Sequence, residues 1–373
     1  MKNWLIPIFI IALYISKLYF VNPEIFNYRF NKNLINQYFC SQDIPKEVPC
    51  KRVFLSDGDL HIAAGYLYVN GYDPSQYHFQ HAPLIKYLYG LTILLFNNPY
   101  YLEILFVILY LILSYVFIWK VFESHVIATF VCLFMSLGPL LRILSGDASF
   151  DVGQAVFMLT YGILVLFKPK NFLLQGLFLG LFASAKFWGA VPFFVIVFNG
   201  YNLLKQRFSL KLFLLQLFIA FLVFSSTYIV TFINTKGNFN IIFFQLKVLK
   251  YWFDHSSASS PFSSSILFLS GYYKSWWNTQ EVTKGEVWNI LWPLSFIISL
   301  LKIRSDLINK LLTKKTLFAF IPIAYLFYLG PQAPFVRYFI LILPFFYAVS
   351  AEFIINNFDK KKGVQKKKNT AII

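Results

Sequence analysis

Charge is scarce in this chain. Asp, Glu, Lys and Arg make up 13% of its 373 residues, where a soluble domain carries roughly 25%. Acidic groups are the scarcer kind, 16 against 33 basic. So little charge excludes an ordinary water-facing surface. Cysteine is scarce too, with three in all. Neither a C-x-x-C spacing nor a His/Cys cluster is present, which excludes a structural zinc module. The first apolar run, "WLIPIFIIALYISKLYF", has no small-residue cleavage site after it, so it reads as an uncleaved first span rather than a signal peptide. No internal repeat is evident, which tells against a transporter built on duplicated halves.

Aromatic and aliphatic residues are abundant instead. Forty-five Phe and 24 Tyr exceed what one globular core buries, and apolar runs of about 14–22 residues recur along the chain. Such runs read as membrane spans. The net charge of +17 then belongs to basic loops on the cytoplasmic side of those spans, which orient the chain, and nucleic acid is not an expected partner. Cys132 lies in an apolar run. Cys40 and Cys50 share one polar loop and suit either a disulfide in an oxidising compartment or two free thiols.

Placing the short basic loops inside gives an all-α, polytopic membrane protein of about ten transmembrane helices, with both termini cytoplasmic. A first span near Trp4–Phe20 leads out to a long loop, residues 21–100, in which "PLIKYLYGLTILLF" is expected to lie in the interface. Spans follow near 101–119, 126–144 and 152–167, and a tight hairpin over 172–204 puts Lys186 and Trp188 at its outer tip. A span near 212–233 reaches a second outer loop, 234–286, and three more lie near 287–301, 316–329 and 338–356. Residues 1–358 thus form one membrane domain and 359–373 a basic tail. In the second loop, Asn240, Lys247, Lys250 and Asp254 recur at helical spacing among apolar residues, as in a helix lying flat on the outer leaflet. "SSASSPFSSS" after it reads as a flexible low-complexity segment.

This path gathers the ionisable groups on the outer side, many of them in "SDGDLHIAAGYLYVNGYDPSQYHFQHAPLIKYLYG", residues 56–90. Charges at a membrane boundary are costly unless solvated or paired, so their convergence points to a site. Asp57 and Asp59 flank Gly58 in a turn. One of them suits a general base, the two together suit a divalent cation, and Asp59 alternatively caps a helix beginning near Leu60. His81 and Lys86 precede an apolar helix, and Lys86 suits either a phosphate or a snorkelling role. "SGDASFD" adds Asp147 and Asp151 at the mouth of a span, where Ser145 or Asp147 is equally suited to cap the next helix. Arg337 enters the final span from outside, and its planar fork suits a phosphate or carboxylate. The tryptophans of "KSWW" suit an interfacial belt or sugar stacking.

The order of these motifs resembles the GT-C superfamily of integral-membrane glycosyltransferases, most closely the protein O-mannosyltransferases and related users of lipid-linked sugars. "DGDLH" stands where that family has an acidic motif in its first outer loop. "HAPLIK" is similar to its H-P-P-L-G-K segment, keeping His81, Pro83, Leu84 and Lys86 but with Ala82 and Ile85. "SFDVGQAVF" resembles a second acidic motif and marks Asp151, "KSWW" marks Trp276, and "RYFILILP" marks Arg337. The resemblance implies transfer of a hexose, mannose among the candidates, from a polyprenyl- or dolichyl-phosphate to a protein, lipid or glycan hydroxyl. Transfer would occur outside the cell membrane, or in the lumen of the endoplasmic reticulum in a eukaryote. It also implies an inverting displacement with Asp57 or Asp59 as base, and Lys86, His81 and Arg337 on the donor phosphate. His61, Asp147, Asp151, Lys186 and Trp276 would bind substrate. No cofactor is required beyond a possible divalent cation at Asp57 and Asp59. A permease or flippase for a lipid-linked sugar, or a non-catalytic subunit, is the rival expectation.

Overall fold

The computed structural model describes residues 2–44, 50–255, 260–274 and 281–370, with side chains from 5 to 357 within those ranges. Trp276, expected to bind substrate, lies outside the described residues, as does its neighbour Trp277. Helix dominates. The chain runs through α1 (Lys2–Val21), α2 (Pro23–Asn27) and α3 (Asn33–Phe39) to α4 (Asp57–Val69) and α5 (Leu84–Phe96). It continues through α6 (Tyr100–Phe122), α7 (His125–Leu137), α8 (Pro139–Gly146), α9 (Asp151–Phe167), α10 (Phe172–Ala185) and α11 (Val191–Leu204). Then come α12 (Leu210–Ser226), α13 (Ile229–Asn234), α14 (Ile241–His255) and α15 (Ser263–Ser270). A short antiparallel hairpin, β1 (Tyr272–Lys274) with β2 (Val282–Lys284), is the exception to the all-α expectation. The chain closes with α16 (Leu291–Ile308), α17 (Lys314–Tyr328) and α18 (Leu343–Thr370).

Local chemistry sets many of these boundaries. Ser56 caps α4 by accepting the Asp59 N–H, and two carboxylates in the first turn complement the positive end of the helix. Asn97 ends α5 in the left-handed region at φ 55°. Asn171 opens α10, and Thr313 with Thr316 forms a reciprocal cap on α17.

Several expected boundaries need correction. The run near 126–144 is two helices, broken where Pro139, with no N–H to donate, follows Gly138. The run near 212–233 breaks at Thr227–Tyr228 into α12 and α13. Val336–Leu341 is a 3-10 helix, so the run expected near 338–356 becomes an α-helix only at Leu343, and Arg337 sits in the 3-10 turn that leads into it. The basic stretch from 301 to 315 is largely helical, because α16 runs on to Ile308. The serine-rich segment contributes the first turn of α15, with Ser263 and Ser264 buried.

By length and composition, α6 is the one described helix of 18 or more residues able to cross a membrane, and α7 with α8 counts as a second if that broken pair is one span. The shorter apolar helices have 10–17 residues and rise about 15–26 Å, less than the ~30 Å of a hydrocarbon core.

The chain divides into two compact units. One comprises Met1–Ile10, Ser114–Gly138 and Ala258–Ile373. In it Phe268 stacks between Trp292 and Phe346, with Phe339 edge-on to Phe268 and Trp292. The indole of Trp292 donates to the Tyr347 hydroxyl at 3.2 Å. The other unit, Ile11–Leu113 with Pro139–Ser257, holds most of the expected site residues. There α4 and α5 cross at Gly65 and Gly90. A Cβ on Gly65 would strike the carbonyl of Lys86, and one on Gly90 would strike that of Gly65. The two backbones are in direct contact, which only glycine permits.

Candidate active site

The crossing places the start of α4 and the segment before α5 in one region of the second unit. At the start of α4, Asp57 is exposed. Asp59 is half-buried, and its carboxylate accepts the Ser56 hydroxyl at 2.8 Å while the Ser56 oxygen accepts the Asp59 N–H at 3.1 Å. The cap is therefore Ser56, with Asp59 as its reciprocal partner, and the helix begins at Asp57 rather than near Leu60. Asp147 joins this pair. A Cβ on Gly58 would come within 2.5 Å of Asp147 Oδ1, so the third carboxylate lies against the glycine between the other two. The charge of Asp59 reaches Tyr28 and Tyr100, and that of Asp147 reaches Tyr100. The Tyr28 hydroxyl is raised above its usual range by burial and then by Asp59. Neither Ser145 nor Asp147 caps α9, whose N-cap is Phe150. The Ser145 hydroxyl instead donates to the Leu141 carbonyl at 2.5 Å.

Beside the carboxylates is a wall of rings. His61 Nδ1 donates to the Ala148 carbonyl at 2.7 Å, and its ring lies on Phe150 with centroids 3.8 Å apart. His78 and His81 lie 5.1 and 5.8 Å from it. Trp252 of α14 packs on His81 at 4.9 Å and donates to the Gln80 carbonyl at 2.7 Å. Thus α14 does form the expected amphipathic helix. Its Val248 is buried and Trp252 meets the ring wall, while Ile242, Phe243, Leu246, Lys247, Lys250, Phe253 and Asp254 are exposed. Burial pushes the His81 imidazole well below its usual value, helped by His61, Lys186, His78 and Lys86. His78 is lowered by burial and by Lys86, against the opposing pull of Asp43.

Lys86 is fully buried, 0% exposed. Its ammonium donates to the Tyr68 hydroxyl at 3.2 Å, the His78 carbonyl at 2.5 Å and the His81 carbonyl at 2.8 Å. An ammonium has three hydrogens, and here each has an oxygen. In this arrangement Lys86 ties the 78–81 turn to α5, and a phosphate would have to displace one of those oxygens to reach it.

Lys186 and Asp151, both expected to bind substrate, meet each other. Lys186 Nζ is 2.5 Å from Asp151 Oδ1, and both side chains are buried. The pair joins the start of α9 to the end of α10, and so fixes Phe150 next to Asp151 and Phe187 next to Lys186. Phe187 in turn packs on Trp252 at 5.6 Å. Arg337 belongs to the other unit, where its guanidinium lies over the Phe335 ring at 4.5 Å.

Two contributors were missed from sequence. Asp43 accepts from the Tyr38 hydroxyl, the His78 N–H and Nδ1–H at 3.1 Å each, and Gln80 Nε2 at 2.8 Å. Burial alone would raise its carboxyl, yet the bonds from His78, Tyr38 and Gln80 hold it well below the usual range. His78, the partner of Asp43, was in the ionisable stretch but carried no motif. Cys40 and Cys50 are joined as a disulfide, which settles the choice left open by their spacing. Among the described residues no group of three or more His, Cys, Asp or Glu side chains is arranged to hold a metal ion.

No protein-family model matches this chain, and no curated protein matches it by sequence. Solved structures do. The chain is similar to ArnT from Cupriavidus metallidurans bound to undecaprenyl phosphate, with a TM-score of 0.57 and 15% identity over 86% of this chain and 58% of that one. Apo ArnT gives a TM-score of 0.57 at 14% identity, covering 85% and 57%. The apo oligosaccharyltransferase of Archaeoglobus fulgidus gives 0.54 at 11%, covering 98% and 52%. The chain spans little more than half the length of these proteins. It shares their fold.

Proposed function

We propose that this protein is a lipid-linked sugar transferase. It moves a hexose, mannose being one candidate, from a polyprenyl- or dolichyl-phosphate to an acceptor hydroxyl on the outer or lumenal face of a membrane. The observation that carries this reading is the carboxylate group at the start of α4, set beside a buried ring wall in a fold shared with ArnT bound to undecaprenyl phosphate.

The acceptor oxygen attacks the anomeric carbon while a carboxylate takes its proton. The bond from that carbon to the carrier phosphate breaks, with inversion, and the carrier leaves as its phosphate. Asp57 is the better candidate for the base, because it is exposed at the start of α4 whereas Asp59 is half-buried and forms part of the helix cap. Lys86, His81 and the Asp151–Lys186 pair position the walls. Arg337 is assigned to the donor phosphate on the motif resemblance.

Purified protein supplied with a radiolabelled hexosyl polyprenyl-phosphate and membrane extract as acceptor source is expected to transfer label to acceptor. Transport of the donor intact across vesicles, with no glycosylated product, would favour the permease reading. In the same assay Arg337→Ala is expected to lower transfer on the order of a hundredfold, the usual loss for one charge-assisted contact. Transfer at the parent rate by a folded Arg337→Ala protein would remove Arg337 from that role.

The ten-span path, with both termini inside, also belongs to this proposal. It predicts that after reduction an impermeant maleimide labels Cys40 and Cys50 from outside intact cells carrying the Cys132→Ala change. Labelling confined to inverted vesicles would overturn the path.

A further inference from the structure

Gln42 and Asp43 follow Cys40 by two and three positions and bind two different parts of the candidate site. Gln42 exchanges a pair of bonds with Leu55, donating from Nε2 to its carbonyl at 2.8 Å and accepting its N–H at 3.1 Å. Leu55 precedes Ser56, the cap of α4, and so leads directly into Asp57. Asp43, whose side chain is 2% exposed, takes four bonds and binds the 78–80 turn of the ring wall.

That turn needs holding. His78 has φ 46°, a left-handed conformation that a residue with a Cβ adopts only at some cost. Asp43 takes both its backbone N–H and its ring Nδ1–H, and Lys86 takes its carbonyl. With the proton on Nδ1, the lone pair of His78 lies on Nε2, which is buried and has no hydrogen-bond partner among the described residues.

The loop bearing both residues is closed at its base. Cys40 is bonded to Cys50, the Val53 N–H donates to the Cys40 carbonyl at 3.0 Å, and Arg52 donates to the carbonyls of Ser41 and Ile44 at 2.5 and 2.7 Å. We infer that Gln42 and Asp43 are positioning residues that set the α4 carboxylates and the ring wall, and that the Cys40–Cys50 disulfide holds them in register. The site then reaches working geometry only in its oxidised form. The catalytic part of this inference rests on the transferase reading, whereas the structural part stands without it.

Hydrogen exchange on the full chain in detergent tests the structural part. The amides of residues 55–59 and 77–82 are followed in the parent, in Asp43→Ala, Asp43→Asn and Gln42→Ala, and in the parent treated with dithiothreitol. Dithiothreitol passes two electrons and two protons to the disulfide, leaving two cysteine thiols and its own cyclic disulfide. Asp43→Ala is expected to speed exchange at 77–82 by about tenfold or more, and Gln42→Ala to do so at 55–59. Reduction should speed both, with α6 unchanged throughout. Where Asp43→Ala fails to fold, Asp43→Asn and the reduced parent carry the same test.

In the transfer assay, Asp43→Ala and reduction are expected to lower kcat by about 10–100-fold, as small misplacements of reacting groups do. Donor KM should stay within about threefold, and Asp43→Asn, which keeps one acceptor oxygen, should recover part of the loss. Unchanged exchange after reduction or in Asp43→Ala overturns the inference. Faster exchange with an unchanged kcat overturns the positioning role. A parent that transfers no sugar defeats the transferase reading, and the exchange data alone then decide whether the clamp exists.

Discussion

Asp57→Asn is expected to lower sugar transfer by about 10²–10⁴-fold, the range for removing a general base, while expression and donor binding stay near the parent level. Asn matches Asp in shape but cannot accept the proton. Asp57 is exposed in the first turn of α4, so loss of its charge is expected to cost the fold only about 0.3–1 kcal/mol through the helix dipole. Asp59→Asn is expected to behave differently. It weakens the reciprocal cap with Ser56, worth about 1 kcal/mol, and so loosens the first turn of α4 with a smaller loss in rate. The contrast is read from kcat for both variants beside their unfolding midpoints. Equal, full activity in both would show that these carboxylates are a solvated helix start and would remove the main support for an enzyme.

Lys186→Met alone is expected to destabilise the protein by about 3–5 kcal/mol, because it leaves the buried Asp151 carboxylate without its cation. Asp151→Asn alone should act similarly through Lys186. The double variant, Asp151→Asn with Lys186→Met, is expected to be milder than the sum, since neither charge is then stranded. Denaturant unfolding of the four proteins in detergent gives the coupling directly. Additive effects within about 0.5 kcal/mol would show that the two groups are not energetically coupled. The pair also carries a functional consequence. Phe150 and Phe187 adjoin it, and through them it supports His61 and Trp252.

Much of this arrangement was legible from local signals. The α10–α11 hairpin followed from two basic loops too close for a longer excursion, with Lys186 at its tip as expected. The polar spacing from Asn240 to Asp254 marked α14, and "HAPLIK" marked the start of α5. What escaped were bonds between distant segments. Asp43 and His78 are 35 positions apart, as are Asp151 and Lys186, and nothing near either residue marks its partner. Lys86 stood out, but its acceptors include two backbone carbonyls, which leave no trace in residue type. The break between α7 and α8 was hidden for another reason. Hydrophobicity continues across Gly138 and Pro139, so a reading based on apolar length runs straight through it.

The contact between Gly65 and Gly90 bears on how this site can change over generations. Most helix pairs are separated by a layer of side chains, whose volumes drift with substitution and let the helices slide. Here main chain meets main chain, so the spacing of α4 and α5 is a matter of bond lengths and atomic radii. The carboxylates at the start of α4 and the turn that leads into α5 therefore inherit a fixed ruler. Substitution around the site cannot move that ruler by conservative repacking, and is left to act on α14 and the loops around it.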